Sequence, residues 1–174
     1  MTDALTARRS ARLKPGWLVL GLPLVAYLMI NGRSLAEARH SLHTPDLSLL
    51  AEAPPAIQLH VAAAMAAFLI GAILLAGVKG TRLHRTLGWS WVAAMAVTAL
   101  TSLFIHRINP GGFSLIHFLS GWTLVALPMA VYAARRRRIA AHRRSMVSIF
   151  VGGLLVAGLF TFMPGRLMWT MVFG

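Results

Sequence analysis

Five apolar stretches, separated by polar and basic segments, dominate the pattern of the chain. A helix needs about 20 apolar residues to cross a bilayer, with a range of about 17 to 25. The first stretch is short and contains Pro23, while the last ends beside Pro164, which predicts a kink before a final segment over Leu167–Phe173. The stretches are Gly16–Ile30, Ala56–Val78, Leu87–Ile105, Phe113–Ala134 and Met146–Met163. They predict an all-α membrane bundle of about five transmembrane helices in a single domain, residues 1–174.

Composition supports a membrane protein and excludes several classes of site. Hydrophobic residues make up 57% of the 174 residues and charged residues 12%, about half the charged share of a soluble domain. The chain has no cysteine, which excludes disulfide scaffolds, thiolate metal clusters and cysteine nucleophiles. The net charge is +13, but the basic residues lie between apolar stretches. A bilayer with anionic lipids is therefore the predicted partner, and nucleic acid is not.

The distribution of basic residues predicts the topology. Thirteen of the 17 Lys and Arg residues lie in the arm 1–15, in Lys79–Arg85 or in Arg135–Arg144. Cytoplasmic loops carry the excess of Lys and Arg in multi-pass proteins. We therefore expect a cytoplasmic N-terminus, an outer C-terminus and a location in the bacterial inner membrane. No small-residue cleavage pattern follows the first stretch closely, which favours a retained helix over a signal peptide.

The segment 31–55 is the one sizeable predicted loop, on the outer side. Ser34 and Glu37 match a capping box, which predicts a short helix to about Leu42. Asp46 is a candidate cap for one further turn. Prolines set the other boundaries, with Pro45 breaking the short helix and Pro54–Pro55 opening the second span. The four spans in 56–163 then form the core that carries most of the histidines.

Acidic residues are absent from all five predicted spans. This absence argues against carboxylate-based ion coupling and against a glycosidase or metalloprotease site in the bundle. No P-loop, Gly-x-Ser-x-Gly or dinucleotide motif occurs in a usable context. The four acidic residues are Asp3, Glu37, Asp46 and Glu52. Histidine is the candidate chemistry that remains.

Five histidines fall at the two rims of the predicted bundle. His60, His106 and His117 lie near the outer ends of the second, third and fourth spans, while His84 and His142 lie at the inner ends. Small or polarizable residues follow them at helical spacing, which allows either close packing or room for a flat ring. These stripes are His60, Ala63, Ala64, Ala67 and Gly71; His84, Gly88, Trp91, Met95, Ala99, Ser102 and His106; His117, Ser120, Gly121 and Leu124; and His142, Met146 and Gly153. His40 and His43 are interpreted as solvated loop residues.

Two imidazoles on facing helices meet the minimum requirement for a six-coordinate b-type haem. We expect His60 and His117 to hold one iron, and His84 and His142 to hold a second haem or a quinone headgroup. Rim arginines are candidate partners of the haem propionates. They are Arg107 at the outer rim and Arg82, Arg85, Arg143 and Arg144 at the inner rim.

The motifs carry two resemblances. His60, then His84-Arg85-x-x-Gly88, then His142-Arg143-x-x-Met146 resemble the pattern of a family of uncharacterised bacterial integral membrane proteins, from Leu59 to about Val156. The alternation is also similar to the transmembrane cytochrome b family of the b-561 type, in which spans two and four bind one haem and spans three and five the other. This resemblance implies electron transfer across the membrane, between a quinone or cytosolic donor and an acceptor at the outer face.

Two other hypotheses remain open on the sequence. The outer histidines His60, His106 and His117 are a candidate zinc or copper site. Alternatively, the chain is a non-catalytic assembly or accessory subunit of a larger complex, in which the histidines are interhelical hydrogen bonders.

Overall fold

A computed structural model describes residues 16–38, 43–105 and 115–173 of the chain. Every regular element in these ranges is helical, which confirms the all-α prediction for the described part. The elements are α1 (Gly16–Ala38), α2 (Ser48–Ala51), α3 (Pro55–Ala76), α4 (Arg82–Ser102), α5 (Leu115–Arg135), α6 (Ile139–Phe150), a π-helical segment (Val151–Val156), α7 (Ala157–Thr161) and α8 (Leu167–Phe173).

Three helices within the described ranges are long and apolar enough to cross a membrane. They are α3, the part of α5 over Ile116–Arg135, and the continuous rod Ile139–Thr161 built from α6, the π-helical segment and α7. The third predicted span corresponds to α4, whose first turn includes Arg82 and Arg85 and is therefore less apolar. The structure thus supports a helical membrane protein with three candidate spans, rather than establishing the predicted five.

The helix α1 is longer than the sequence pattern predicts. It continues through Ser34 and Glu37 to Ala38, so no new helix begins at the predicted capping box, and that prediction is wrong. The amide of Asn31 donates to the carbonyl oxygen of Tyr27 at 3.1 Å, within the same helix. Good helix formers in the last turn then carry the helix past the polar residues. The remainder of the predicted loop helix, residues 39–42, lies outside the described residues.

The later part of the loop agrees with the sequence prediction. The carboxylate of Asp46 accepts hydrogen bonds from the backbone N–H and the hydroxyl of Ser48, at 2.9 and 2.6 Å, immediately before α2, although the N-cap position itself is Leu47. These bonds also hold the pKa of Asp46 below its usual value. Pro55 is the first residue of α3, as predicted. The C-terminal α8 follows Pro164, and its Met171 carbonyl accepts from the backbone of Asp46 at 3.0 Å.

The helix α4 begins earlier than its apolar stretch does. Thr81 is its N-cap, and its hydroxyl accepts from the backbone N–H of His84 at 3.0 Å. The apolar pattern missed this start because the first turn consists of basic and polar residues. The cap places His84 in the first turn of the helix.

Replacing Thr81 with alanine is expected to lower the free energy of unfolding by about 0.5–2 kcal/mol, since the cap bond is lost. Equilibrium unfolding of the detergent-purified protein measures this change. Thr86→Ala is the matched control. The Thr86 hydroxyl donates to the carbonyl oxygen of Arg82 within the same helix and does not cap the helix N-terminus. Equal stabilities of the two variants would contradict the capping role.

The core lies where α3, α4, α5 and the α6 rod meet. The helix α4 packs against both α3 and α5, and α6 packs against α5. At Gly71 of α3, an added Cβ would lie 2.5 Å from the ring of Phe150 and 2.7 Å from Nε1 of Trp91. Close packing therefore explains the glycine in the second-span stripe. The buried cluster contains Ala67, Trp91, Met95, Leu127, Ala130, Ile149, Phe150 and Leu154.

Candidate cofactor cavity

A cavity of about 400 Å³ lies between the helices, away from the basic connections Lys79–Arg85 and Arg135–Arg144. Its walls come from α3, α4, α5, the π-helical segment, α7 and α8, and most of the lining side chains are apolar. This volume falls within the range of small-molecule sites, about 300–1,000 Å³. The polar lining residues are His60, Thr98, Ser102, Ser120, Thr123 and Thr161.

His60 is held in a defined orientation at the wall of this cavity. Its Nδ1 lies 3.0 Å from the carbonyl oxygen of Thr98 and 3.2 Å from the hydroxyl of Thr101. Because a carbonyl only accepts, Nδ1 carries the proton, and the neutral ring keeps its lone pair on Nε2. A histidine that binds a metal commonly donates its other N–H in this way. His60 therefore has the tautomer of an Nε2 ligand.

His117 is buried on α5, with 6% of its surface exposed. It lies one turn before Ser120, which lines the cavity and shares a hydrogen bond with Ser102 of α4. The cavity lining includes His60 but does not include His117 among the described residues. The helix α4 packs between the two helices that bear the histidines. The structure thus brings His60 and His117 to the same end of the bundle, with only His60 at the cavity wall.

The threonines of this end were not identified from the sequence, whereas Ser102 and Ser120 belong to the predicted stripes. Thr98 and Thr123 are buried, and each donates its hydroxyl to a backbone carbonyl four residues earlier, at 2.8 Å. Such bonds satisfy the hydroxyl within its own helix. Helical spacing from His60 gave no signal for Thr98, because the two residues belong to different helices.

The π-helical segment shapes the far wall of the cavity. Leu154 and Leu155 line it, and Gly153 lies close to Met95, whose Cε would be 3.3 Å from an added Cβ. An added Cβ at Gly158, which also lines the cavity, would meet nothing within 4 Å. Single π-helical turns often occur at functional sites. Because Gly158 has no side chain, open space remains in the cavity beside α7 at this position.

The predicted inner pair, His84 and His142, lies at the opposite end of the bundle from His60. The Nδ1 of His142 donates to the carbonyl oxygen of Ala130 at 3.0 Å, so its lone pair is also on Nε2. His84 precedes the predicted third span, and burial lowers its pKa, with further lowering by the charges of His142 and Lys79. These effects favour the neutral form of His84.

The arginines predicted to accompany haem are found in two situations. Arg85 and Arg143 are exposed beside the inner histidines. Arg107 and His106 lie outside the described residues. Among the described residues, no group of three or more His, Cys, Asp or Glu side chains is arranged to hold a metal ion. The predicted outer metal site of His60, His106 and His117 therefore remains a prediction.

The described residues contain two sites at which a histidine could bind a metal ion or accept a proton. At one end, an oriented His60 borders an apolar cavity between helices. At the other end, His84 and His142 are near enough for their charges to interact, among exposed cations. The site at His60 suits a ligand that needs a nitrogen donor and an apolar surrounding.

Comparisons with known proteins give a family and a location. No curated protein matches the chain, and no solved structure matches it. A family described as "Predicted membrane protein (DUF2306)" matches residues 57–172, which include all the helices around both histidine sites. The chain therefore belongs to this family of predicted membrane proteins.

Proposed function

We propose that the protein is a membrane-embedded b-type haem protein that transfers electrons at or across the bacterial inner membrane. The observation that carries the proposal is His60, whose Nδ1 proton is held by the Thr98 carbonyl at the wall of an apolar cavity. A neutral imidazole with its Nε2 lone pair directed away from its hydrogen bonds is an axial ligand of haem iron.

The residues around the cavity fit such a group. Apolar side chains and small residues, among them Ala64, Ala99 and Gly158, leave space for a flat ring system. His117, buried on α5 one turn before the cavity-lining Ser120, is the proposed second ligand, and this role requires its ring to turn toward the cavity. Haem, when bound, would supply a one-electron carrier. The Thr98 carbonyl would keep the proton of His60 on Nδ1 and raise the basicity of Nε2, while the apolar wall would exclude water.

The proposed topology follows the charge distribution. We place the N-terminus and the basic connections Lys79–Arg85 and Arg135–Arg144 in the cytoplasm, with α1 and α4 as two further crossings. The cavity with His60 then lies in the outer half of the bundle, and His84 and His142 lie near the cytoplasm. Electrons would reach the outer site from a quinone or a cytosolic donor.

An absorption spectrum of the detergent-purified full chain, before and after dithionite, tests the proposal. We expect a reduced b-type band together with one or two equivalents of haem. A colourless protein with bound zinc or copper would favour the three-histidine metal site instead. A colourless, metal-free protein that purifies with a fixed partner would favour the accessory-subunit hypothesis.

Filling the cavity is expected to remove the cofactor and leave the fold intact. Gly158→Leu places a side chain in open cavity space and improves the helix propensity of that position. Haem affinity should fall about 5- to 150-fold, since overpacking a site costs about 1–3 kcal/mol, and the haem content of the purified protein should fall with it. Gly152→Leu is the control, because its Cβ also meets nothing within 4 Å but does not line the cavity. Equal haem contents in both variants would place the cofactor elsewhere.

A further inference from the structure

A second, smaller cavity of about 300 Å³ lies at the end of the bundle that carries the basic connections. We call this cavity the α3–α4 groove. The last two turns of α3 provide one wall through Ile73 and Leu74, and Leu87 of α4 provides another. Thr81 and His84 are its polar lining residues. Val78 also lines it and is 78% exposed, so one side of the groove faces the surroundings.

Uncompensated positive charge surrounds this groove. The exposed side chains of Lys79, Arg82 and Arg85 lie in the connection and first turn beside it. The ammonium of Lys79 donates to the carbonyl of Leu75 at 2.7 Å, which keeps it at the end of α3 with two further donors to offer. Asp46 and Glu52 lie just before the N-terminus of α3, a helix of 22 residues, whereas the groove lies at its C-terminal end.

The second basic connection lies at the same end of the bundle. The guanidinium of Arg135 is 5.9 Å from the ring of Trp89 on α4, and the charge of His142 acts on His84. The connection Arg135–Arg144 is also positively charged, but none of its residues lines the α3–α4 groove. The two basic segments therefore differ in one respect, because one borders an apolar groove and the other does not.

These features select one class of occupant. An inorganic anion would satisfy the cations and leave the apolar groove open to water, while a neutral lipid would fill the groove and leave the cations unpaired. An acyl chain with a phosphate headgroup and no compensating cation satisfies both. We propose that the α3–α4 groove binds one anionic phospholipid, with its acyl chain along Ile73, Leu74 and Leu87 and its phosphate beside Lys79, Arg82 and His84.

Native mass spectrometry of the full chain, with phosphatidylglycerol or phosphatidylcholine added in detergent, tests the proposal. We expect one tightly retained phosphatidylglycerol. The double variant Lys79→Gln/Arg82→Gln should weaken its retention roughly 25-fold, because each basic residue near an anionic lipid surface adds about fivefold in affinity. Arg136→Gln/Arg137→Gln removes the same charge from the same end and should change retention little.

A second pair of variants tests the groove itself. Val78→Trp fills the open side of the groove and should displace the retained lipid, whereas Val125→Trp adds the same bulk to an exposed position of α5 and should not. Inorganic phosphate at the same concentration should not compete. Equal retention of phosphatidylcholine, equal losses in the two double variants, or competition by phosphate alone would overturn the proposal. The unfolding transition of each variant shows whether the fold has been kept.

Discussion

Replacing His60 with alanine is expected to reduce the haem band of the purified protein to background. Among the described residues, His60 is the one histidine that lines the cavity of about 400 Å³, and the proton that its Nδ1 donates to the Thr98 carbonyl leaves the lone pair on Nε2. The measurement is the dithionite-reduced spectrum with haem quantified per chain.

A second variant of His60 distinguishes a loss of folding from the loss of the haem-binding imidazole. His60→Asn keeps a side-chain N–H to donate to the Thr98 carbonyl and should retain more of the stability than His60→Ala, yet it should also lose haem. His43→Ala is the control, since His43 is exposed in the loop and should leave the spectrum unchanged. If His60→Ala and His117→Ala both kept full haem content, the outer-pair assignment would be wrong.

Enlarging Gly71 is expected to produce the largest loss of stability of any single substitution considered. An added Cβ would lie within 2.7 Å of both the Phe150 ring and Trp91 Nε1, and these aromatic groups are themselves buried. Overpacking of this kind costs about 1–3 kcal/mol for one methyl group. The improved helix propensity, about 1 kcal/mol, offsets only part of this cost. Gly71→Leu should prevent the native packing of α3 against α4 and α6.

Equilibrium unfolding of Gly71→Ala, compared with Gly88→Ala, tests this expectation. Gly88 also lies within a helix, but an added Cβ there would meet nothing within 4 Å. Gly88→Ala should therefore be neutral or slightly stabilising. If the two variants had the same stability, the contact of α3 with Phe150 and Trp91 would be looser than described.

Helical spacing predicted the buried faces well because apolar and small residues recur with the helical period. The stripe predicted on the third span is the buried face of α4, with Trp91, Met95, Ala99 and Ser102 all buried. The ends were less predictable. The start of α4 at Arg82 and the extension of α1 to Ala38 both add polar turns beyond the apolar stretch. Hydropathy measures the apolar stretch and is insensitive to helix that continues outside it.

The candidate site was predicted only in part. His60 could be singled out because it stands near a helix end with small residues at helical spacing. Its bond to the Thr98 carbonyl could not, because that oxygen belongs to the backbone of another helix, 38 residues away. The π-helical segment beside the cavity was also missed, since its Gly152–Gly153 pair fits an ordinary transmembrane helix equally well.

The composition and the helical spacing of apolar residues determined that this chain is helical and belongs in a membrane. They also placed the histidines at the two ends of the helical bundle. The contacts between distant helices decided which histidine borders a cavity, which tautomer it has and which glycine is fixed by packing. Those features depend on how α3, α4 and the α6 rod approach one another. Their separation and rotation follow from the packing of all the side chains together, which no local pattern encodes.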